Sequence, residues 1–182
     1  MSDRKVPKRC LVIDASIARA AGGHRSVHPL GARCREFLLR VRGICHRMIW
    51  GEILKGEWQL HQSVFSQTWL TSMRSLGKLT VIDDKPDDFL SETIRRSTSD
   101  ENVVAAILKD AHLLAGAMRS DRRIASLDDR MRNHIARNLS PHESIMNLVW
   151  IDPTDDSEAA IGWLESGAPD DEPRKLRNCG RN

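Results

Sequence analysis

Short apolar runs that are typical of buried β-strands recur along this chain, and acidic residues stand where these runs end. Asp14 closes the run CLVID, Glu52 follows CHRMIW, and Asp128 closes RIASLD. Amphipathic helical segments separate the runs. The alternation predicts an α/β fold, a three-layer sandwich around a central parallel sheet of about four to five strands. A fourth acid, Asp110, lies inside the otherwise apolar segment VVAAILKDAHLLAGAM.

The positions of these acids predict a shared site. Side chains at the carboxyl ends of parallel strands converge on one crevice, so we expect Asp14, Glu52, Asp110 and Asp128 to become neighbours. Neighbouring carboxylates repel one another, and each raises the pKa of the others unless a cation lies between them. Hard oxygen ligands of this kind suit Mg²⁺ or Mn²⁺. The pattern therefore predicts a metal-dependent site that handles phosphate.

The length and composition predict one globular domain. The chain has 182 residues, of which 40% are apolar and 29% are charged, which is ordinary for a domain with a single core. The apolar runs are too short to span a bilayer, and the first residues are polar where a signal peptide would be apolar, so we expect a cytoplasmic protein without membrane contact. We expect a polar arm at residues 1–8, the domain at 9–166, and a disordered polar tail at 167–182.

Hydrophobic periodicity locates the helices that would carry the acids. It predicts one long helix from Glu52 through about Ser75, ended by Gly77. It also predicts a helix from Lys109 to Met118, with Asp110 near its start. The four cysteines have neither CxxC nor zinc-finger spacing and are expected to be reduced thiols: Cys10, Cys34, Cys45 and Cys179.

Four stretches in this order resemble PIN-domain nucleases, the fold of many bacterial toxins of toxin–antitoxin pairs and of several RNA-processing endonucleases. The matching stretches are VIDAS at 12–16, MIWGEILKGEW at 48–58, KDAHLLAGAM at 109–118 and IASLDDRM at 124–131. The resemblance implies a metal-dependent endoribonuclease that hydrolyses RNA phosphodiester bonds. It assigns catalysis and the binding of Mg²⁺ or Mn²⁺ to four acids, which are Asp14, Glu52, Asp110 and Asp128. It assigns supporting roles to the hydroxyls of Ser16 and Ser126.

The resemblance also implies partners and leaves alternatives open. RNA is the expected partner in preference to DNA, an inhibitory antitoxin-like protein and a homodimer are further expectations, and no membrane is expected. A DNA-directed nuclease of the same fold presents one alternative, because both nucleic acids carry the same phosphate. The other alternative is a nucleic-acid-binding or partner-binding module whose nuclease site is weak or lost.

Several acids have structural interpretations that the sequence leaves open. Asp14 follows a strand and precedes a helix, as a helix N-cap does. Glu52 could be favoured by the helix dipole alone, and Glu57 competes with it for the site. Asp128 and Asp129 are adjacent, so either could face the crevice while the other caps the next helix. We favour Asp128, because Ser126 precedes it by two residues as in the family pattern.

Arginines are the candidates for holding a nucleic-acid backbone. Guanidinium groups pair with phosphate oxygens in a bidentate way, and two arginine-rich segments, 33–47 and 119–137, are candidates for this role. Arg130 and Arg132 follow Asp128 by two and four residues, where the substrate backbone should pass, so we expect these two to bind substrate.

Overall fold

A five-stranded parallel sheet lies at the centre of residues 7–25 and 27–179, which are the residues that the computed structural model describes. The strand order is β3-β2-β1-β4-β5, and every neighbouring pair is parallel. This confirms the predicted α/β class. The strands are β1 (Cys10–Ile13), β2 (Arg47–Trp50), β3 (Leu79–Val81), β4 (Arg123–Ala125) and β5 (Val149–Ile151).

Helices flank the sheet, as a three-layer sandwich requires. They are α1 (Ala15–Ala20), α2 (Pro29–Gly43), α3 (Glu52–His61), α4 (Val64–Ser75), α5 (Asp88–Arg96), α6 (Glu101–Lys109), α7 (Ala111–Met118), α8 (Asp129–Asn138), α9 (Glu143–Met146) and α10 (Ala160–Glu165). One group comprises α1, α2, α4 and α10, and another comprises α5 to α9, with α7 against β1 and β4. Helix α3 contacts both α1 and α7. None of the helices in the described residues is long and apolar enough to cross a membrane.

The central strands are buried because helices cover both faces of a parallel sheet. The side chains of Leu11, Ile13, Ile124 and Trp150 are all fully buried. Because both faces of such strands are buried, they appear in the sequence as continuous apolar runs, and this made them predictable. None of the cysteines at positions 10, 34, 45 and 179 forms a disulfide.

The strand order creates a crevice beside β1. From β1 the chain proceeds to β2 and β3 on one side, and later to β4 and β5 on the other. The carboxyl ends of β1 and β4 therefore meet where the order reverses, which is where open α/β sheets bind ligands. The Asp14 amide still donates to the Ala125 carbonyl at 2.9 Å. Asp14 thus lies directly beside the end of β4.

Two helices that the sequence predicted as continuous are interrupted. The predicted helix from Glu52 to Ser75 is two helices, because Ser63 and Ser66 form a capping box that starts α4. A serine at the third helical position replaces the usual Glu or Gln, so the sequence signal was weak. The predicted helix from Lys109 to Met118 is also wrong at its start, since Asp110 separates α6 from α7 with φ −103° and ψ 10°.

The prediction of a disordered tail at 167–182 is wrong for residues 167–179. Lys175 forms an antiparallel bridge with Val149, and the Leu176 amide donates to the Leu148 carbonyl at 3.0 Å. Leu176 is fully buried. The segment covers the edge of β5, whose backbone groups need partners. Residues 180–182 and positions 1–6 of the predicted arm lie outside the described residues.

Candidate functional site

A cleft of about 150 Å³ opens at the carboxyl ends of β1 and β4. Four carboxylates line it, from Asp14, Glu57, Asp110 and Asp128. The structure therefore brings together three of the acids that the sequence singled out, and it adds Glu57 in place of Glu52. The remaining lining residues are Ala15, Ser16, Arg19, His61 and Lys109.

Two hydroxyl groups hold the Asp14 carboxylate. Ser16 Oγ donates to Asp14 Oδ2 at 2.5 Å, and Ser126 Oγ donates to the same oxygen at 2.6 Å. Ser16 Oγ in turn accepts from the Leu127 amide at 3.2 Å, and Ser126 Oγ accepts from the Asp128 amide at 3.0 Å. Asp14 occupies the N-cap position of α1 but makes no capping hydrogen bond. Its carboxylate therefore lines the cleft and does not cap the helix.

Asp110 is the acid whose ionisation the surroundings oppose. Burial, with a smaller contribution from the negative charge of Asp14, raises the pKa of Asp110 from 3.8 to about 6. The positive charge of Lys109 acts in the opposite direction. The Asp110 side chain makes no capping hydrogen bond to α7, although it stands at the N-cap position. A cation in the cleft would therefore stabilise the charged form of Asp110.

Asp128, and not Asp129, lines the cleft. Asp128 Oδ1 also accepts a hydrogen bond from the Met131 amide at 2.8 Å, so the residue caps α8 with one oxygen. Asp129 is the first residue of α8 and lies outside the cleft. Burial raises the pKa of Asp129, and the negative charge of Asp152 adds to this effect.

Glu52, which the sequence suggested, does not reach the cleft, and Glu57 lines it instead. Its side chain is 88% exposed, and its carboxylate lies 3.4 Å from Lys55 Nζ. Glu52 is the first residue of α3. Because each residue turns an α-helix by about 100°, a residue five positions later lies about 140° further round the helix. Glu57 therefore points from a different face, and that face is the one at the cleft.

Hydrogen bonds at the carboxyl ends of β3 and β1 fix the orientation of α3. Asp84, which follows β3 and is buried, accepts hydrogen bonds from the amides of Ile53 at 3.2 Å and Leu54 at 2.8 Å. Trp58 Nε1 donates to the carbonyl of Ile13, the last residue of β1, at 2.8 Å. The helical turn that carries Glu57 is thereby fastened next to Asp14. The tryptophan at position 58 hinted that this turn of α3 faces the core, but the contacts that turn the helix are visible only in the structure.

His112 lies behind Glu57 and connects it to α7. Nε2 of His112 is 3.1 Å from Oε2 of Glu57, and the ring is 1% exposed. The pair is within ion-pair distance but lacks hydrogen-bond alignment, and Nδ1 has no hydrogen-bond partner within the described residues. Burial lowers the pKa of His112, but Glu57 and the charges of Asp84 and Asp110 outweigh it, so the pKa is raised overall.

Arg132 is not available for the predicted substrate contact. Its side chain is 12% exposed and forms an ion pair with Glu158. Its Nε donates to Cys179 Sγ at 2.9 Å, which ties α8 to the C-terminal segment. The sequence could not show these contacts, because Glu158 and Cys179 come from distant parts of the chain. Arg130 is exposed and forms no ion pair within the described residues.

Other arginines of the two arginine-rich segments, 33–47 and 119–137, also bind groups of the protein itself. Arg33 pairs with Asp156 at 2.9 Å, and Arg40 pairs with Glu165 at 3.0 Å. Arg47 donates to the hydroxyl of Thr80 and to the carbonyl of Leu79. The same holds in the second cluster, where Arg119 donates to the carbonyls of Asp83 and Lys85 and Arg123 to that of Ala168.

The donor set of the cleft suits a hard divalent cation, although its geometry is not that of a closed metal site. No group of three or more His, Cys, Asp or Glu side chains within residues 7–25 and 27–179 is placed to hold a metal ion. Mg²⁺, however, usually binds through one or two carboxylates together with water and substrate phosphates. Asp14 uses only Oδ2 for its hydroxyl contacts, and Asp128 uses only Oδ1 for its cap. Each keeps an oxygen for a cation.

Comparisons of this chain with protein-family models, with curated proteins and with solved structures gave no match. The resemblance to PIN-domain nucleases therefore stays a prediction. The cleft and its chemistry are the basis on which a function can be proposed.

Proposed function

We propose that this protein is a metal-dependent endoribonuclease that hydrolyses RNA phosphodiester bonds at the acidic cleft. The observation that carries the proposal is the gathering of four carboxylates where the strand order reverses, with Asp14 held by two hydroxyls. Such a site costs free energy unless a cation offsets the mutual repulsion of the acids. The raised pKa of Asp110 is the local sign of that cost.

The residues of the cleft fit Mg²⁺ or Mn²⁺, which Asp14 and Asp110 would hold, with Glu57 and Asp128 beside them. Such an ion lowers the pKa of a bound water and offsets the charge that builds on the phosphate during hydrolysis. Ser16 and Ser126 keep the Asp14 carboxylate in one orientation. Glu57 is kept in place by Trp58 and His112, so its carboxylate enters the cleft from a second helix.

RNA is chosen over DNA because of the PIN-domain resemblance, since the phosphates alone do not discriminate. The same resemblance supports an antitoxin-like inhibitory partner, a homodimer and a cytoplasmic location as parts of the proposal. The second candidate function is a nucleic-acid-binding or partner-binding module with a weak nuclease site. The lack of a closed three-ligand group in the described residues favours it.

Incubation of the purified protein with end-labelled RNA and DNA of one sequence tests the proposal. We expect internal cleavage of RNA with Mg²⁺ or Mn²⁺ and none in excess EDTA. Asp14→Asn serves as the matched control, because it keeps the shape of the side chain and removes the charge that would hold the cation. Cleavage in EDTA, or undiminished cleavage by Asp14→Asn, would contradict the metal site. Faster cleavage of DNA would reassign the substrate, and binding without cleavage would favour the second candidate.

A further inference from the structure

Two exposed cations stand at the rim of the acidic cleft, one from each group of helices. Arg19 comes from α1 and Lys109 is the last residue of α6, and both line the same cleft as the four carboxylates. Helix α1 packs with α2 and α4, whereas α6 packs with α5, α7 and α8. The two positive charges therefore approach the cleft from different layers of the protein.

These cations are not used by the fold. Neither Arg19 nor Lys109 forms an ion pair or a side-chain hydrogen bond within residues 7–25 and 27–179, although the charge of Lys109 acts on Asp110. This separates them from the arginines that the sequence suggested, such as Arg33, Arg40 and Arg132, which are held by acidic partners. An exposed cation without a protein partner keeps its full capacity for a phosphate.

An acidic cleft by itself repels a polyanion. A strand that enters it must be held by positive charge on both sides of the bond that is to be cut, because four carboxylates would otherwise oppose its approach. The guanidinium of Arg19 can bind a phosphate through two hydrogen bonds, and the ammonium of Lys109 can act as a point charge. His61, four residues after Glu57 on the same face of α3, is a third basic residue that lines the cleft beside them.

We infer that Arg19 and Lys109 bind the phosphates on either side of the scissile phosphodiester of a nucleic-acid strand, an inference that rests on the proposed nuclease function. The contacts are to the sugar-phosphate backbone and carry no base preference. The rim, defined as Arg19 and Lys109, therefore positions the strand, and the four acids below it act on the bond.

The test measures binding separately from cleavage. Fluorescence anisotropy with a labelled single-stranded RNA is recorded in the Asp14→Asn protein with Mg²⁺, so that the strand stays intact, and DNA of the same sequence is run in parallel. Arg19→Gln and Lys109→Gln are each expected to weaken binding about tenfold, which is the effect of losing one charged hydrogen bond. The slope of log affinity against log salt should fall by about 0.7 for each lost contact.

Arg74→Gln is the matched control. Arg74 is exposed, lies in the last turn of α4 and does not line the cleft, so its loss should leave binding unchanged. In protein that retains Asp14, the rim variants should raise KM for RNA cleavage more than they lower kcat.

The outcomes separate the rim from the nuclease. If both rim variants bind RNA as tightly as Arg74→Gln, the inference is overturned, while metal-dependent cleavage that is lost in Asp14→Asn would still support the nuclease. If the rim variants weaken binding but no protein cleaves RNA, then Arg19 and Lys109 bind the strand at the cleft, but the nuclease function and the scissile bond that they would flank are overturned. If the parent protein binds neither RNA nor DNA, both are overturned.

Discussion

Ser126 donates a hydrogen bond to Asp14 across the boundary between β4 and β1, with 2.6 Å between the two oxygens. Ser126 is fully buried, and its hydroxyl also accepts from the Asp128 amide at 3.0 Å. One hydroxyl therefore orients a carboxylate at the end of one strand and the backbone of a second acid at the end of the next. The cleft is organised by this contact as much as by the acids.

Ser126→Ala should lower both stability and activity. It removes a hydrogen bond to a charged group and leaves the Asp128 amide without its acceptor, which together cost about 1.5 to 3 kcal/mol. We expect cleavage of RNA to fall at least about tenfold, because Asp14 loses one of its two hydroxyl contacts. Urea unfolding and initial cleavage rates measure the two effects. Ser140→Ala, at an exposed serine, is the control; equal behaviour of the two variants would contradict the role of Ser126.

Glu57→Gln and Glu52→Gln should separate a cleft residue from a solvent-exposed one. Glu57 lines the cleft, so its amide variant should lose cleavage activity by about two orders of magnitude or more. Glu52 is 88% exposed, so Glu52→Gln should cleave RNA like the parent protein and unfold within about 0.5 kcal/mol of it. Cleavage assays of the two purified variants at matched metal concentration decide between them. Loss of activity in Glu52→Gln alone would restore the assignment that the sequence suggested.

The sequence predicted what depends on local pattern and missed what depends on distant contacts. Buried strands and their terminal acids were visible, because a parallel sheet leaves continuous apolar runs. Glu57 was passed over for Glu52, since only the contacts of Asp84 and Trp58 reveal how α3 is turned. The structural use of Arg132 was hidden for the same reason.

The polar composition of the C-terminal segment led to the wrong prediction that residues 167–179 are disordered. Residues 167–179 are mostly polar, but the buried side chains of Ala168 and Leu176 and the backbone bridge between Lys175 and Val149 hold them against the fold. An average over the segment cannot detect two buried side chains and one bridge. The need of an edge strand for backbone partners was the physical reason to expect a cover there.

Asp110→Asn should stabilise the metal-free protein at neutral pH. The pKa of Asp110 is raised from 3.8 to about 6, so the folded state binds more protons than the unfolded state between these values. The free energy of unfolding therefore falls as pH rises through this window, and the full cost is present at pH 7. Asp110→Asn removes this cost, which we put at about 1 to 2 kcal/mol after allowance for solvent screening.

Urea unfolding in EDTA at about pH 4 and about pH 7 measures this difference. The variant and the parent should be similar at the lower pH, and the variant should be more stable at the higher pH. Added Mg²⁺ should stabilise the parent more than the variant, because the ion binds the charged carboxylate. A less stable Asp110→Asn protein at pH 7 would show that the carboxylate contributes favourable contacts to the fold.

Arg132→Gln and Arg130→Gln should differ in stability. Arg132 is 12% exposed and paired with Glu158, so its loss leaves a partly buried carboxylate without its partner and should cost about 2 to 4 kcal/mol. Arg130 is exposed without an ion pair in the described residues, so Arg130→Gln should lie within about 0.5 kcal/mol of the parent. Urea denaturation of both proteins checks this. Equal stabilities would mean that the ion pair contributes nothing net to the folded state.

Asp128→Asn and Asp129→Asn should show which of the two adjacent acids serves the cleft. Asp128 lines the cleft and also caps α8 through the Met131 amide. Asparagine caps a helix about as well as aspartate, so Asp128→Asn should keep its stability within about 0.5 kcal/mol while losing the charge that the cleft requires. We expect RNA cleavage to fall by about two orders of magnitude or more.

Asp129→Asn, in contrast, should keep its cleavage activity. Burial raises the pKa of Asp129, and the charges of Asp152, Asp155 and Asp128 add to that effect, so its ionised form is disfavoured in the folded protein. The Asp129 side chain is 63% exposed, so solvent screens these charges, and removal of its own charge should leave stability unchanged or raise it slightly at pH 7. Cleavage should stay close to that of the parent. Thermal unfolding and cleavage rates of the two variants, measured side by side, test both statements. If Asp129→Asn loses activity and Asp128→Asn does not, then Asp129 serves the cleft, and the contact of Ser126 with the Asp128 amide has only a structural role.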